Sequence, residues 1–168
     1  RLIQLAGYDV YYEPSASDTV ARFVENLEKA ATMAAAYGVI LGFETMETPF
    51  MNSTEKAMAY VRHVCSPYVQ VYPDVGNITN AVGDVPKDLR IGRGHIAAVH
   101  LTETRPGVFR DLHFGEGEVD FSAAIATLME QGVRLYTAEF WYQEGEDWRT
   151  ELMRARCFLD DCFKEAGA

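Results

Sequence analysis

The 168 residues are one domain's worth of chain, and shares of 48% hydrophobic and 24% charged residues are ordinary for a globular protein. A formal net charge of −10, from 25 acidic against 15 basic residues, argues against nucleic acid, whose binding rests on neutralising phosphates with Lys and Arg. It leaves room for a small anionic substrate, because a metal or a helix N-terminus can supply positive potential locally.

No uncharged apolar run reaches the roughly 18 residues of a membrane span. The opening "RLIQLAGYDV" lacks the apolar core and cleavage site of a secretory signal. It starts in a strand-like run without an initiator Met, so a piece of a longer chain is expected. Cys65, Cys157 and Cys162 are odd in number and lack CxxC spacing, which suits reduced thiols in a cytoplasmic protein.

Leu2–Leu5 is the first short apolar run with strand character. The helical pattern "SDTVARFVENLEKAATMAAAYG" follows, with Ser17 or Asp18 as cap and Val20, Phe23, Val24, Leu27, Ala30 and Ala31 on one face. Gly38 stands where a C-terminal glycine belongs. Val39–Phe43 is the second strand, and "NSTEKAMAYVRHV" the second helix, capped by Ser53 or Asn52. Val69–Tyr72 is the third strand, followed by a short, weaker helix near "VPKDLRIG". Ile96–Val99 is the fourth strand, and "DFSAAIATLMEQG" a helix ended by Gly132. Leu135–Ala138 and "DWRTELMRARCFLDDCFKEAG" complete the series. The strands read as continuous apolar runs, as strands buried on both faces do. Repeated βα units imply a parallel sheet with helices outside it. An open doubly wound sheet and a (β/α)8 barrel both satisfy that order. No linker or low-complexity stretch divides the chain, so 1–168 is read as a single domain.

Four of these strands end on a polar residue: Glu44 in "VILGFETME", Asp74 in "VQVYPDVGN", His100 in "IAAVHLTE" and Glu139 in "LYTAEFW". They stand 30, 26 and 39 residues apart (44 to 74, 74 to 100, 100 to 139), about one βα unit each. Each therefore holds the equivalent C-terminal position of its strand, the rim where parallel α/β folds build their sites. Three carboxylates gathered there would repel one another. A divalent cation removes that repulsion, and carboxylates with one imidazole suit Mn²⁺, Zn²⁺, Co²⁺ or Mg²⁺. Taken singly, each residue is as well explained as a helix cap, an ion-pair partner or a satisfied histidine.

The blocks "RLIQLAGYDVYYE", "ETMETPFMNS", "YPDVGN", "AVHLTETRPGVF", "HFGEGEVDF" and "AEFW" resemble the L-ribulose-5-phosphate (L-xylulose-5-phosphate) 3-epimerase family. These are xylose-isomerase-like sugar-phosphate isomerases and epimerases. The resemblance runs along the whole chain. It implies an α/β fold, a (β/α)8 TIM barrel of which strands 4–8 are present and about the first three βα units are missing. It also implies Glu44, Asp74, His100 and Glu139 as ligands of one divalent metal ion. One departure stands out: the family's Lys-Asp pair shortly after the metal-binding His is replaced here by Thr102-Glu103. Arg105, in "TETRPG", could substitute for that lysine.

The implied reaction inverts C3 of a ketopentose 5-phosphate. A base removes the acidic proton beside the carbonyl to give an enediolate, and an acid returns a proton to the other face. Glu44 and Glu139, three strands apart, are the expected catalytic pair, with Asp74 and His100 mainly holding the metal. Asn77, Arg105 and Asn52 are the substrate-binding candidates, although turn chemistry and capping account for Asn77 and Asn52 equally simply. The glycine-rich "HFGEGEVDF" is expected to be a rim loop, Glu47 a supporting or solvated carboxylate, and Phe140, Trp141 and Tyr142 a pocket wall or packing. His63 and His95 are given no role. A keto-aldo isomerase of the hexulose-6-phosphate isomerase kind and an inactive barrel fragment are the alternatives. The expected partners are a small sugar phosphate and further copies of the chain, bound through exposed strand edges, with no nucleic acid and no membrane.

Overall fold

The computed structural model describes residues 1–145 and 147–167. The elements run β1 (Leu2–Ala6), α1 (Ser17–Tyr37), β2 (Ile40–Glu44), α2 (Thr54–Val64), β3 (Val69–Tyr72), α3 (Val75–Ala81), α4 (Val85–Ile91), β4 (Val99–Thr102), α5 (Phe121–Glu130), β5 (Tyr136–Glu139) and α6 (Trp148–Glu165). No helix among the described residues is long and apolar enough to cross a membrane.

All regular strand pairs are parallel. β1 pairs with β2, β2 with β3, and β4 with β5. Between β3 and β4 the ladder is reduced to two bridges, Val71 with Ile96 and Asp74 with His100. Pro73 lies between them and has no N–H to donate, so only its carbonyl takes part, accepting from the His100 N–H at 2.9 Å. This moves the fourth strand. The apolar run Ile96–Val99 makes one bridge, and the regular ladder begins at Val99 and continues to Thr102. His100 therefore lies inside β4 rather than at its exit.

The five strands form one row, with β1 and β5 each paired to a single neighbour. The row curves. Next-nearest strands stand about 10 Å apart in a flat sheet, yet the Tyr72 hydroxyl on β3 meets Thr137 Oγ1 on β5 at 2.8 Å, and Glu44 on β2 meets His100 on β4 at 2.5 Å. Side chains on the inner face converge, as they do inside a barrel wall.

Helices cover the outer face in two packed groups. Leu27 and Ala31 of α1 and Met58 and Val61 of α2 close over Phe43 and Val71. Ile78, Leu89, Phe121, Ile125 and Leu128 close over Val99 and Leu101, with Leu159 of α6. Removing any one of the Leu, Ile, Val, Met or Phe side chains among them from water is worth about 1.5–3 kcal/mol.

Capping decides where the helices start. Ser53, Asp74, Asp84, Asp120 and Asp147 each accept an N–H from the first turn of their helix. α1 departs from its sequence reading: its N-cap is Ala16, not Ser17 or Asp18, and the Ala16 N–H donates to Thr19 Oγ1 at 2.8 Å. Gly38 ends α1 in the left-handed conformation, φ 62°, as its position predicts. α3 has no counterpart in the sequence reading. Gly76 and Asn77 are poor helix formers and look like a turn, but the Asp74 carboxylate accepts the Asn77 N–H at 2.7 Å and starts a helix there.

Candidate metal centre

Strand geometry delivers the four expected ligands to one place. Glu44 and Glu139 are the last residues of β2 and β5, Asp74 follows β3 as the cap of α3, and His100 is the second residue of β4. One ligand atom from each lies within 4.8 Å of the other three. His100 Nδ1 stands 2.5 Å from Glu44 Oε1, 2.6 Å from Glu139 Oε2 and 4.0 Å from Asp74 Oδ2.

The surroundings hold these groups in position. Thr102 Oγ1 donates to Asp74 Oδ2 and lies 3.4 Å from Glu139 Oε2. Gln4 Nε2, from β1, donates to Glu44 Oε2. Thr45 Oγ1 accepts the Asp74 N–H at 2.8 Å, and Asn77 Nδ2 donates to the Thr45 carbonyl at 3.0 Å. The Tyr72 ring meets the His100 imidazole edge-on, with centroids 4.7 Å apart. Gly76 is required here: a Cβ would stand 2.4 Å from the Thr102 carbonyl oxygen, so any larger residue would push α3 off the strand that carries Thr102.

Asp74 is 1% exposed. Burial pushes its carboxyl up to about 7, helped by the charges of Glu44 and Glu139 and opposed by the hydrogen bonds from Thr102 and Asn77. Burial acts the other way on His100, but hydrogen bonds to Glu139 and Glu44 and their charges outweigh it and raise the imidazole to about 10. Three buried or half-buried carboxylates beside one imidazole form a donor set of oxygens and one nitrogen. That set fits a borderline or hard divalent cation, whose charge offsets the crowding of the carboxylates.

Glu44, Asp74 and Glu139 of the cluster line a small cavity. Asn77 lines it, as expected, and so does Trp141. Arg105 does not: it is exposed, and its backbone pairs with Val108 in a turn. Arg110, five residues on, reaches the cavity instead. Asn52 also stays outside, where it accepts from Lys56 Nζ at 2.7 Å, and the cap of α2 is Ser53. Phe140 packs against Phe114 in the core, and Tyr142 is exposed. His63 pairs with Glu28 on the outside, at 2.9 Å.

Glu47, expected as a supporting or solvated carboxylate, lines the cavity and accepts from the Tyr8 and Tyr12 hydroxyls, each at 2.7 Å. These bonds hold its carboxyl below its ordinary range although burial acts the other way. Glu103, 4% exposed, accepts N–H groups from Thr104, Gly115 and Val119 and so pins the glycine-rich loop to the end of β4. The pair Thr102-Glu103 thus has two tasks: one residue supports a ligand, the other anchors a loop.

The chain is similar to several known proteins. The family model described as xylose isomerase-like TIM barrel matches residues 1–161. L-ribulose-5-phosphate 3-epimerase UlaE of Shigella sonnei (strain Ss046) is 42% identical over 168 residues, covering 99% of this chain and 59% of the relative. The Escherichia coli O139:H28 protein of the same name gives the same figures. The chain thus spans about three-fifths of the length of these curated relatives. Among solved structures, an L-ribulose 3-epimerase superposes with a TM-score of 0.78 at 21% identity, covering 97% of this chain and 62% of that one. D-psicose 3-epimerase of Clostridium cellulolyticum H10 gives a TM-score of 0.77 at 16% identity, with coverages of 98% and 65%. These two likenesses concern the fold. Matched over nearly its whole length, the chain belongs to the xylose isomerase-like TIM barrel family.

Proposed function

We propose that the protein is a metal-dependent 3-epimerase of a ketopentose 5-phosphate such as L-ribulose 5-phosphate. The single observation that carries this reading is the placement of Glu44 and Glu139. They flank His100 from β2 and β5, at 2.5 and 2.6 Å, and both line the same cavity. The names of relatives 42% identical to the chain support the choice of substrate.

Glu44, Asp74, His100 and Glu139 are the ligands in this reading. When bound, a divalent ion polarises the sugar's carbonyl and adjacent hydroxyl oxygens and stabilises the negative charge that develops there. One glutamate accepts the C3 proton and becomes a carboxylic acid. The other, protonated beforehand, delivers its proton to the opposite face of C3 and becomes a carboxylate. Proton exchange with solvent resets the pair, and the roles reverse for the reverse reaction. Asn77 supplies a polar contact on the cavity wall.

The five βα units correspond in this reading to strands 4–8 of a barrel and form a single domain. The share of the curated relatives that the chain spans, 59%, supports this.

The activity test is turnover of L-ribulose 5-phosphate in D₂O with Mn²⁺ added. Epimerisation with deuterium entering at C3 is expected. Deuterium at C1 instead would identify a keto-aldo isomerase, and neither label nor inversion would refute the proposal.

A further inference from the structure

We infer that Tyr72 is a positioning residue of the metal centre: by tying β3 to β5 across β4, it sets the spacing between the two parts of the strand row that share the four ligands. This rests on the reading above that Glu44, Asp74, His100 and Glu139 hold one divalent ion.

The ligands are divided by the thinnest junction in the row. Glu44 and Asp74 stand at the ends of β2 and β3, and His100 and Glu139 on β4 and β5. β2–β3 and β4–β5 are continuous ladders, whereas β3 and β4 share two bridges, because Pro73 interrupts the pairing. An ion must be touched from both sides of this seam at once, so opening the seam separates its ligands. Thr102 and Thr104 fasten β4 to Asp74 and to the Gly76 carbonyl. Glu139 lies one strand further away, and its side chain is 31% exposed against 6% for Glu44.

Tyr72 reaches that further strand. Its hydroxyl hydrogen-bonds Thr137 Oγ1 at 2.8 Å, and Thr137 precedes Glu139 by two residues on the same face of β5. On the way the ring passes the imidazole of His100, the register partner of Thr137, edge-on with centroids 4.7 Å apart. Gly42 on β2 makes room for the ring: a Cβ there would stand 3.3 Å from both Tyr72 Cβ and Cδ2, inside the optimal carbon–carbon separation. Tyr72 is buried, so packing fixes the ring and the hydroxyl acts at the end of a rigid arm. The residue does not line the cavity, so it places other groups rather than touching substrate.

Without the tie, fewer molecules hold all four ligands within reach of one ion, and the apparent affinity falls by that fraction. Thr137 is exposed, so water competes for the bond and only its net worth counts, about 3- to 10-fold in an equilibrium constant.

The test measures Mn²⁺ affinity by calorimetry, and thermal unfolding without metal, for the wild type, Tyr72→Phe, Thr137→Val, the double variant and Tyr136→Phe. Tyr72→Phe keeps the ring beside His100 and removes only the hydroxyl. Each of the first two variants should weaken Mn²⁺ about 3- to 10-fold, and the double variant no further, because both lose the same bond. Tyr136→Phe is the control: its hydroxyl donates to the Val133 carbonyl at 3.2 Å, just before its own strand, and its loss should cost stability alone. A Tyr72→Phe affinity within about 1.5-fold of the wild type, below a net hydrogen bond's worth, would overturn the inference. So would additive losses in the double variant, or an equal loss in Tyr136→Phe, which would mean general loosening of β5. Deuterium at C3 is scored separately in the wild type. Mn²⁺ binding that depends on the Tyr72 hydroxyl, without C3 exchange, sinks the epimerase reading and leaves the positioning role standing. C3 exchange with a Mn²⁺ affinity indifferent to that hydroxyl does the reverse. A wild type that binds no Mn²⁺ overturns the inference together with the metal site it rests on.

Discussion

Thr102→Val tests whether the cluster is a metal site held together by its neighbours. The substitution keeps the shape of the side chain and removes one hydroxyl, the donor to Asp74 Oδ2. Both partners are buried, Thr102 at 4% and Asp74 at 1% exposure, so water cannot replace the lost bond. A hydrogen bond to a charged group is worth about 1.5–3 kcal/mol, and each 1.4 kcal/mol is tenfold in an equilibrium constant. The bond favours the ionised carboxylate and holds the Asp74 pKa down, so removing it moves that group further above about 7. A ligand must be ionised to bind the ion. Mn²⁺ affinity at neutral pH should therefore fall by about 10- to 100-fold, as is usual when a supporting partner of a ligand is lost. Thr104→Val is the control: its hydroxyl, equally buried, donates to the Gly76 carbonyl at 2.9 Å and touches no ligand. It should cost about 0.5–1.5 kcal/mol of stability and leave Mn²⁺ affinity alone. Calorimetric titration with Mn²⁺ gives the affinities and thermal unfolding the stabilities. A Thr102→Val chain that binds Mn²⁺ within about 2-fold of the wild type would refute the reasoning, since the difference lies below a hydrogen bond's worth.

Glu44→Gln and Glu139→Gln should each abolish inversion at C3, and each should also weaken Mn²⁺, because both residues belong to the cluster. Full inversion by either variant would remove the two-base scheme. Metal binding should release protons, because His100 titrates near 10 and Asp74 near 7 while both must be unprotonated to act as ligands. Affinity should therefore rise with pH from 6 to 9. Calorimetry in buffers of different ionisation enthalpy should find roughly one proton released at pH 8 and more at pH 6. A pH-independent affinity would contradict the geometry around His100. Gly117→Ala should destabilise the fold by about 1–3 kcal/mol in thermal unfolding. Its Cβ would stand 2.2 Å from the Thr104 carbonyl oxygen and 2.3 Å from Glu103 Oε1, the carboxylate that anchors the loop. Unchanged stability would mean that the loop is not held by Glu103.

What the sequence reveals about this site follows from what a strand can and cannot specify. An apolar run ending on an acid marks a position along the chain, and parallel βα units repeat that position at a common rim. Glu44, Asp74, His100 and Glu139 could therefore be grouped across 95 residues (44 to 139) before any coordinate was known. The same logic fails for residues whose role depends on direction. Thr102 matters because alternation along β4 turns it to the same face as His100, two residues before it, and that alternation becomes countable only once Pro73 has shifted the start of the ladder to Val99. Arg105 and Arg110 sit on one loop, and composition cannot separate them. The Arg105–Val108 turn carries the first outward, whereas the aromatic faces of Tyr12 and Trp141 hold the second over the cavity. Tyr12 and Arg110 lie 98 residues apart, and Gln4 and Glu44 40 apart, so neither contact has a local signature. The four clustered side chains are thus written in the periodicity of the chain. The groups that touch them are fixed by the curvature of the strand row, which only the assembled fold contains.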